Sequence, residues 1–156
     1  MLFSNYWIVV DSGGGLEAAT IAKRYIAKNI CMEEARRLGI DQTIHVEENY
    51  VVNLDSDVRL PKGYLQEAFQ LLQDPKVAAA SSTFTNKDHQ GVLEFGCSVW
   101  RKNLLANLYD WETHVQSGMC ECAYMWRKVK EAGFKVMTLT RKPEHLSLTS
   151  ARFANL

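Results

Sequence analysis

Tyr50-Val51-Val52-Asn53-Leu54-Asp55-Ser56-Asp57 carries an apolar, β-type run into two carboxylates one residue apart, and Leu60-Pro61-Lys62-Gly63-Tyr64-Leu65 leads the chain away from them. Burying Asp is costly unless the charge is paired, hydrogen-bonded or bound to metal. A strand end that points two carboxylates into a cleft suits a hard divalent cation, which prefers oxygen ligands. Such a cation can clamp a diphosphate. Asp also ends strands and opens turns for purely local reasons, so the surroundings of Asp55 and Asp57 decide between the two readings.

Working outward, Trp7-Ile8-Val9-Val10 reads as a buried strand ending at Asp11, followed by the Ser12-Gly13-Gly14-Gly15 loop. The spacing of apolar residues predicts a helix from Leu16 to about Lys28 and a short one from Cys31 to Leu38, with Gly39 as C-cap. Pro61 opens a helix running to about Gln73, stopped by Asp74-Pro75. Val77 to Ser82 is a strand. A polar loop over 86–91 separates it from another at Val92 to Val99, broken near Gly96. Asn103 to Tyr109 reads as a helix, as does Met119 to Ala132, closed by Gly133. Phe134 to Leu139 is the last predicted strand, and the tail from Thr140 shows no period. Strands alternating with helices predict an α/β domain, its central sheet mostly parallel with helices on both faces. Ligands of such sheets bind beyond the carboxyl ends of the strands, so Asp11, Asp55 and Asp57 are expected to share a rim.

With 156 residues the chain fits one domain with a sizeable core. Lys plus Arg and Asp plus Glu both number 18, which argues against nucleic-acid binding by a whole-domain positive field. No apolar run approaches the roughly 18–20 residues of a transmembrane segment, and the first residues lack the basic start and apolar core of a signal peptide. Cys31, Cys97, Cys120 and Cys122 show no zinc-knuckle spacing, and scattered thiols fit a reducing compartment. The expectation is a cytoplasmic protein, with peripheral membrane contact left open.

The ordered set of these segments resembles the family 2 glycosyltransferases of the GT-A fold, over about residues 7 to 147. Trp7 to Gly13 is similar to the family's strand whose terminal Asp contacts the nucleotide base. Ala27-Lys28-Asn29 with Glu34-Ala35-Arg36 is similar to its "Arg-Asn … Ala" helix region. Tyr50 to Leu65 is similar to the strand with the Asp-x-Asp motif and the Pro-led helix after it. Gly96 to Arg101 resembles the glycine-plus-arginine segment near the acceptor, and Glu121 to Val136 the helix with an acidic start leading into "Ala-Gly-aromatic-Lys-Val". His145 resembles a late His that contacts metal or diphosphate. Three departures stand out. Residues 1–6 are too few to supply the strand and helix that usually precede the segment at Trp7. Glu121-Cys122 stands where Glu-Asp is common, and Lys28 where Arg is usual.

The resemblance implies a GT-A-like domain over residues 1–147, lacking the usual first strand, and a tail over 148–156. It implies a metal-dependent inverting transfer of a sugar from a UDP- or GDP-linked donor to an acceptor hydroxyl. Asp55, Asp57 and His145 would hold Mn2+ or Mg2+. Asp11, Ser12, Asn29 and Asp55 would meet the nucleotide. Glu121 would be the base, and Gly96, Trp100 and Arg101 would lie on the acceptor side, where Trp100 and Trp111 could stack on sugar faces. An acid in the first turn of a helix is also favoured by the helix dipole alone. Cys122 reads as a packing residue, because a free thiol is neutral near pH 7.

Two further readings stay open. One is a non-catalytic remnant of the fold that binds or assembles, with a homodimer covering the sheet edge left by the absent strand. The other is a haloacid-dehalogenase-type phosphatase with Asp55 as nucleophile and Asp57 as acid/base. The sequence disfavours it: two elements precede the motif, and Asp74, Asp88 and Asp110 are isolated where a downstream Asp pair is needed.

Overall fold

A computed structural model describes residues 8–11, 23–26, 32–82 and 93–146. The Ser12-Gly13-Gly14-Gly15 loop, Lys28-Asn29 and the tail over 148–156 lie outside the described residues, as do the side chains of 8–11 and so that of Asp11.

In chain order, β1 (Ile8–Asp11) and β2 (Lys23–Ile26) precede α1 (Met32–Gln42) and a 3-10 turn (Thr43–His45). Then come β3 (Tyr50–Leu54), β4 (Val58–Arg59), α2 (Tyr64–Leu71) and β5 (Val77–Ser81). They are followed by β6 (Cys97–Arg101), α3 (Lys102–Leu108), α4 (Trp111–Ser117), α5 (Glu121–Glu131), β7 (Lys135–Thr138) and β8 (Glu144–His145). The chain is thus mixed α/β.

The central four-stranded sheet has the order β3-β6-β5-β7. Strand β6 runs antiparallel to both its neighbours, and within this sheet only β5 and β7 pair in parallel. This corrects the expected mostly parallel sheet. The reason lies between β5 and β6, where the sequence offers a polar loop and no helix. A parallel pairing needs a crossover, usually helical, whereas an antiparallel one needs only a loop.

Both faces of the sheet are covered. Trp100 and Ala79 point to one side, where Ile40 of α1, Leu105 of α3 and Tyr124, Met125 and Val129 of α5 complete the core. Cys97, Val99 and Ala80 point to the other, against Tyr64 and Ala68 of α2 and Leu72. A register shift at Val77/Ala79 breaks the alternation, so Ala78 and Ala79 share a face. Strand β5 is buried along its whole length, which is why its sequence, Val77-Ala78-Ala79-Ala80-Ser81, has no polar alternation.

Several element bounds differ from the sequence expectation. Lys23–Ile26 is a strand, parallel to β1, inside the helix expected over Leu16 to Lys28. Arg24-Tyr25-Ile26 suits a strand as well as a helix, and short apolar runs do not separate the two. Helix α1 continues through Gly39 to Gln42, because the next turn carries Ile40, 3% exposed, into the core. Pro61 lies in a turn before α2, closed by the Tyr64 N–H donating to the Pro61 carbonyl at 3.1 Å, and Gly63 takes the positive φ of 85° that starts the helix. Helix α4 had no counterpart in the sequence reading. Its N-cap is Asp110, which accepts from the Thr113 N–H at 3.2 Å.

Candidate active site at the carboxyl end of β3

The register of β3 and β6 sets the site. Leu54 lies opposite Cys97, so Asp55, the next residue, meets Gly96. The Asp55 N–H donates to the Gly96 carbonyl at 2.9 Å. The Phe95-Gly96 turn is locked by three further bonds: Asn53 Nδ2 to the Phe95 carbonyl at 2.8 Å, Ser98 Oγ to the same carbonyl at 2.6 Å, and Trp100 Nε1 to Ser98 Oγ at 2.7 Å. A Cβ at Gly96 would stand 2.0 Å from Asp55 Oδ2. Glycine is therefore required here by close approach.

From α1, Arg36 reaches the same point. Its Nη2 donates to Asp55 Oδ1 at 2.8 Å, and its Nε stands 2.9 Å from Glu121 Oε2. The second contact is an ion pair whose N–H is not aligned for a hydrogen bond. The guanidinium carbon lies 5.1 Å from the centre of the Phe95 ring, a cation–π distance. Phe95 stacks in turn on Tyr109, with ring centres 5.5 Å apart. The Tyr109 hydroxyl, just past α3, donates to Glu121 Oε1 at 2.7 Å. Both oxygens of Glu121 are thus engaged, one by an arginine and one by a phenol.

Glu121 opens α5 and its side chain is 7% exposed. Burial pushes its carboxyl above the ordinary value, opposed by the positive charge of Arg36 and the Tyr109 hydroxyl. A carboxylate perturbed by burial beside a specific charge partner is the pattern of a functional group. Cys122 beside it is no base. Burial pushes its thiol up to about 12, and its Sγ accepts from the Phe95 N–H at 3.4 Å.

Asp57 lies on a turn in which the Val58 N–H donates to the Asp55 carbonyl at 3.2 Å. Strand β4 after it pairs with β8, Val58 opposite His145, and the Leu146 N–H donates to the Asp57 carbonyl at 2.8 Å. That pairing brings His145 Nε2 to 3.6 Å from Asp57 Oδ2. The tail residue and the second motif carboxylate therefore face each other, through a two-residue strand pair that no period in the sequence announces. Glu67 of α2 anchors this corner. It accepts from the Thr140 N–H at 2.7 Å, from Thr140 Oγ1 at 2.8 Å and from Arg141 Nη1 at 2.8 Å.

Two residues expected on the acceptor side are elsewhere. Trp100 is wholly buried against Phe95, so it offers no face to a sugar. Two residues after Ser98, to whose hydroxyl its Nε1 donates, it falls on the face of β6 packed against α1, α3 and α5. Arg101 lies at the opposite end of β6 from Gly96. Its guanidinium donates to the carbonyls of Val77, Leu72 and Asp74, closing the corner between α2 and β5. Trp111 is half-buried at the start of α4.

Arg36 and Tyr109 hold the Glu121 carboxylate, and no motif in the sequence marks either of them. One signal was available: Arg36 is four residues before the buried Ile40, on the same helix face. A charged residue on a core-facing stripe needs a partner inside.

Compared with models of protein families and with curated proteins, the chain matches none. Among the described residues no helix is long and apolar enough to cross a membrane, and no group of three or more His, Cys, Asp or Glu side chains is gathered for a metal ion. Asp57 and His145 supply one oxygen and one nitrogen donor. That is too few donors to enclose a divalent ion, so water and diphosphate oxygens would have to complete the shell, and the imidazole would suit Mn2+ better than Mg2+. At the other motif carboxylate, Asp55, the cation in place is the Arg36 guanidinium.

Proposed function

We propose that the protein is a metal-dependent inverting glycosyltransferase with a GT-A-like domain. The observation that carries this reading is the convergence of Asp55 and Glu121 on Arg36 beyond the carboxyl end of a sheet strand, with the Asp57–His145 pair on the turn that follows. Donor handling and base are thereby adjacent, as a transfer between two bound molecules requires.

Asp57 and His145, with Asp55, would hold the divalent cation, which when bound neutralises charge on the departing nucleoside diphosphate. Glu121 takes the proton of the acceptor hydroxyl. The acceptor oxygen forms the new bond to the anomeric carbon from the face opposite the diphosphate. The bond from that carbon to the diphosphate oxygen breaks, and the nucleoside diphosphate leaves with the bonding pair. Tyr109 and Arg36 hold the Glu121 carboxylate in place. The UDP or GDP base would meet the Asp11 end of β1.

A second reading, a binding or assembly module without catalysis, is favoured by one observation: both oxygens of Glu121 already have partners. Titration of UDP- and GDP-sugars with and without Mn2+, on the wild type and on Asp57→Ala, separates the two. Metal-dependent binding lost in the variant supports the transferase. No binding under any condition sinks it and leaves the module. Turnover of a generic aryl phosphate would instead point to a phosphatase.

A further inference from the structure

The two motif carboxylates are partnered unequally. Asp57 faces an imidazole at 3.6 Å, while Asp55 is bonded by a guanidinium at 2.8 Å whose side chain is 11% exposed. A metal ion that needs Asp55 meets a positive charge already seated on it. That charge is also held from behind: Glu121 Oε2 lies 2.9 Å from Arg36 Nε, and the Phe95 ring lies under the guanidinium.

We propose that Arg36 is a built-in competitor of the divalent cation at Asp55, and that metal entry transfers the guanidinium wholly to Glu121. The inference rests on the reading of Asp55 and Asp57 as a metal–diphosphate site. The geometry makes the exchange local. Arg36 carries one positive charge against the two negative charges of Asp55 and Glu121. When the metal takes Asp55, the Arg36–Glu121 pair remains neutral as a unit, over the same aromatic ring. Breaking a buried pair outright would leave an uncompensated charge, which is strongly unfavourable; here each carboxylate keeps a cation before and after. What is given up is one charge-assisted hydrogen bond between a largely buried guanidinium and a part-exposed carboxylate, a penalty on metal binding that depends on Arg36 alone. Gly96 sets the position of the exchange, since the Asp55 carboxylate fills the space a side chain would take.

The test is Mn2+ binding to the full chain, read by the electron paramagnetic resonance signal of free Mn2+, first alone and then with UDP. Arg36→Gln is expected to bind Mn2+ about tenfold more tightly than the wild type, the size of one charged hydrogen bond. Asp57→Asn is expected to lose the site in either background. Equal or weaker binding by Arg36→Gln overturns the competition and leaves the metal site standing. Absence of Mn2+ binding by both proteins overturns the metal reading and this inference with it. Arg36→Gln leaves Glu121 buried without its cation and could fail to fold, so a wild-type measurement stands beside it. The 15N-labelled Nε–H signal of Arg36, assigned by its loss in Arg36→Lys, is expected to shift saturably with Mg2+. A signal that does not move through the titration overturns the proposal.

Discussion

Asp55 occupies the space that a side chain at Gly96 would need: a Cβ built there stands 2.0 Å from Asp55 Oδ2. The glycine in this turn is present because the motif carboxylate must lie over it to reach Arg36. Gly96→Ala is therefore expected to push the carboxylate off its seat and break the Arg36–Asp55 pair. Asp55 is partly exposed and can swing outward, so the loss of stability should be at the low end of the ~1–3 kcal/mol typical of overpacking. Donor binding should fall far more. Thermal denaturation and nucleotide-sugar titration on the same variant check both; unchanged donor affinity would remove Asp55 from the site.

On the proposed reading, with Glu121 as base, its ionisation sets the pH dependence of the transfer. Burial raises its carboxyl above the ordinary value, and a base must be ionised to act. Turnover should fall on the acid side through a limb lying above the ordinary carboxylate range. Tyr109→Phe removes a hydroxyl that holds the ionised form and should move that limb upward, at a stability cost of about 1 kcal/mol. Glu121→Gln should lower kcat by ~10²–10⁴-fold with donor binding kept. A profile of kcat/KM against pH for wild type and Tyr109→Phe reads the effect, and coincident profiles would exclude Glu121 as the base.

The His145 side chain, at the end of a two-residue strand, is 21% exposed, and that of its partner Asp57 is 40% exposed. His145→Gln is expected to lower stability by about 1 kcal/mol, the common size for a single substitution. Its Mn2+-dependent nucleotide affinity should drop about tenfold or more if the imidazole is a ligand or orients one. Calorimetric titration with UDP and Mn2+ measures it.

Glu67 couples the same corner to acid stability. Its carboxyl is held down to about 2, first by the Thr140 N–H, with the Thr140 hydroxyl and Arg141 adding to it. A carboxyl with a depressed folded value contributes stability that is present above its ordinary unfolded value and lost as the pH falls toward the folded one. The wild type should lose this contribution between the ordinary carboxylate range and about pH 2, whereas Glu67→Gln should lack it at neutral pH and show a flatter acid limb. Denaturation midpoints across that range, compared between the two proteins, check the sign.

Much of the frame was legible in the chain. Val77 to Ser82 reads as a strand, one residue longer than β5, because a doubly buried strand has no polar alternation, and Gly133, with φ of 82°, marks the end of α5. The carboxylates of Asp55 and Asp57 were legible as a candidate because apolar residues lead straight into them. Helix α4 was not, since Trp111-Glu112-Thr113-His114-Val115 has no apolar period; the Asp110 cap was its only local mark. The direction of β6 was legible in principle, because the polar run over 86–91 shows no helical period.

By itself the sequence determined an α/β alternation, a carboxylate pair at a strand end and an acid at the head of a late helix, because periodicity and turn chemistry are local properties. Only the tertiary structure decided what those carboxylates touch. It turned Trp100 into core and Arg101 into a clasp of the α2–β5 corner, and it set His145 against Asp57 through the β4–β8 pairing. It brought Arg36, from a helix near the start of the described chain, between Asp55 and Glu121. Ion pairs act over a few ångströms of space, and separation along the chain carries no measure of that distance.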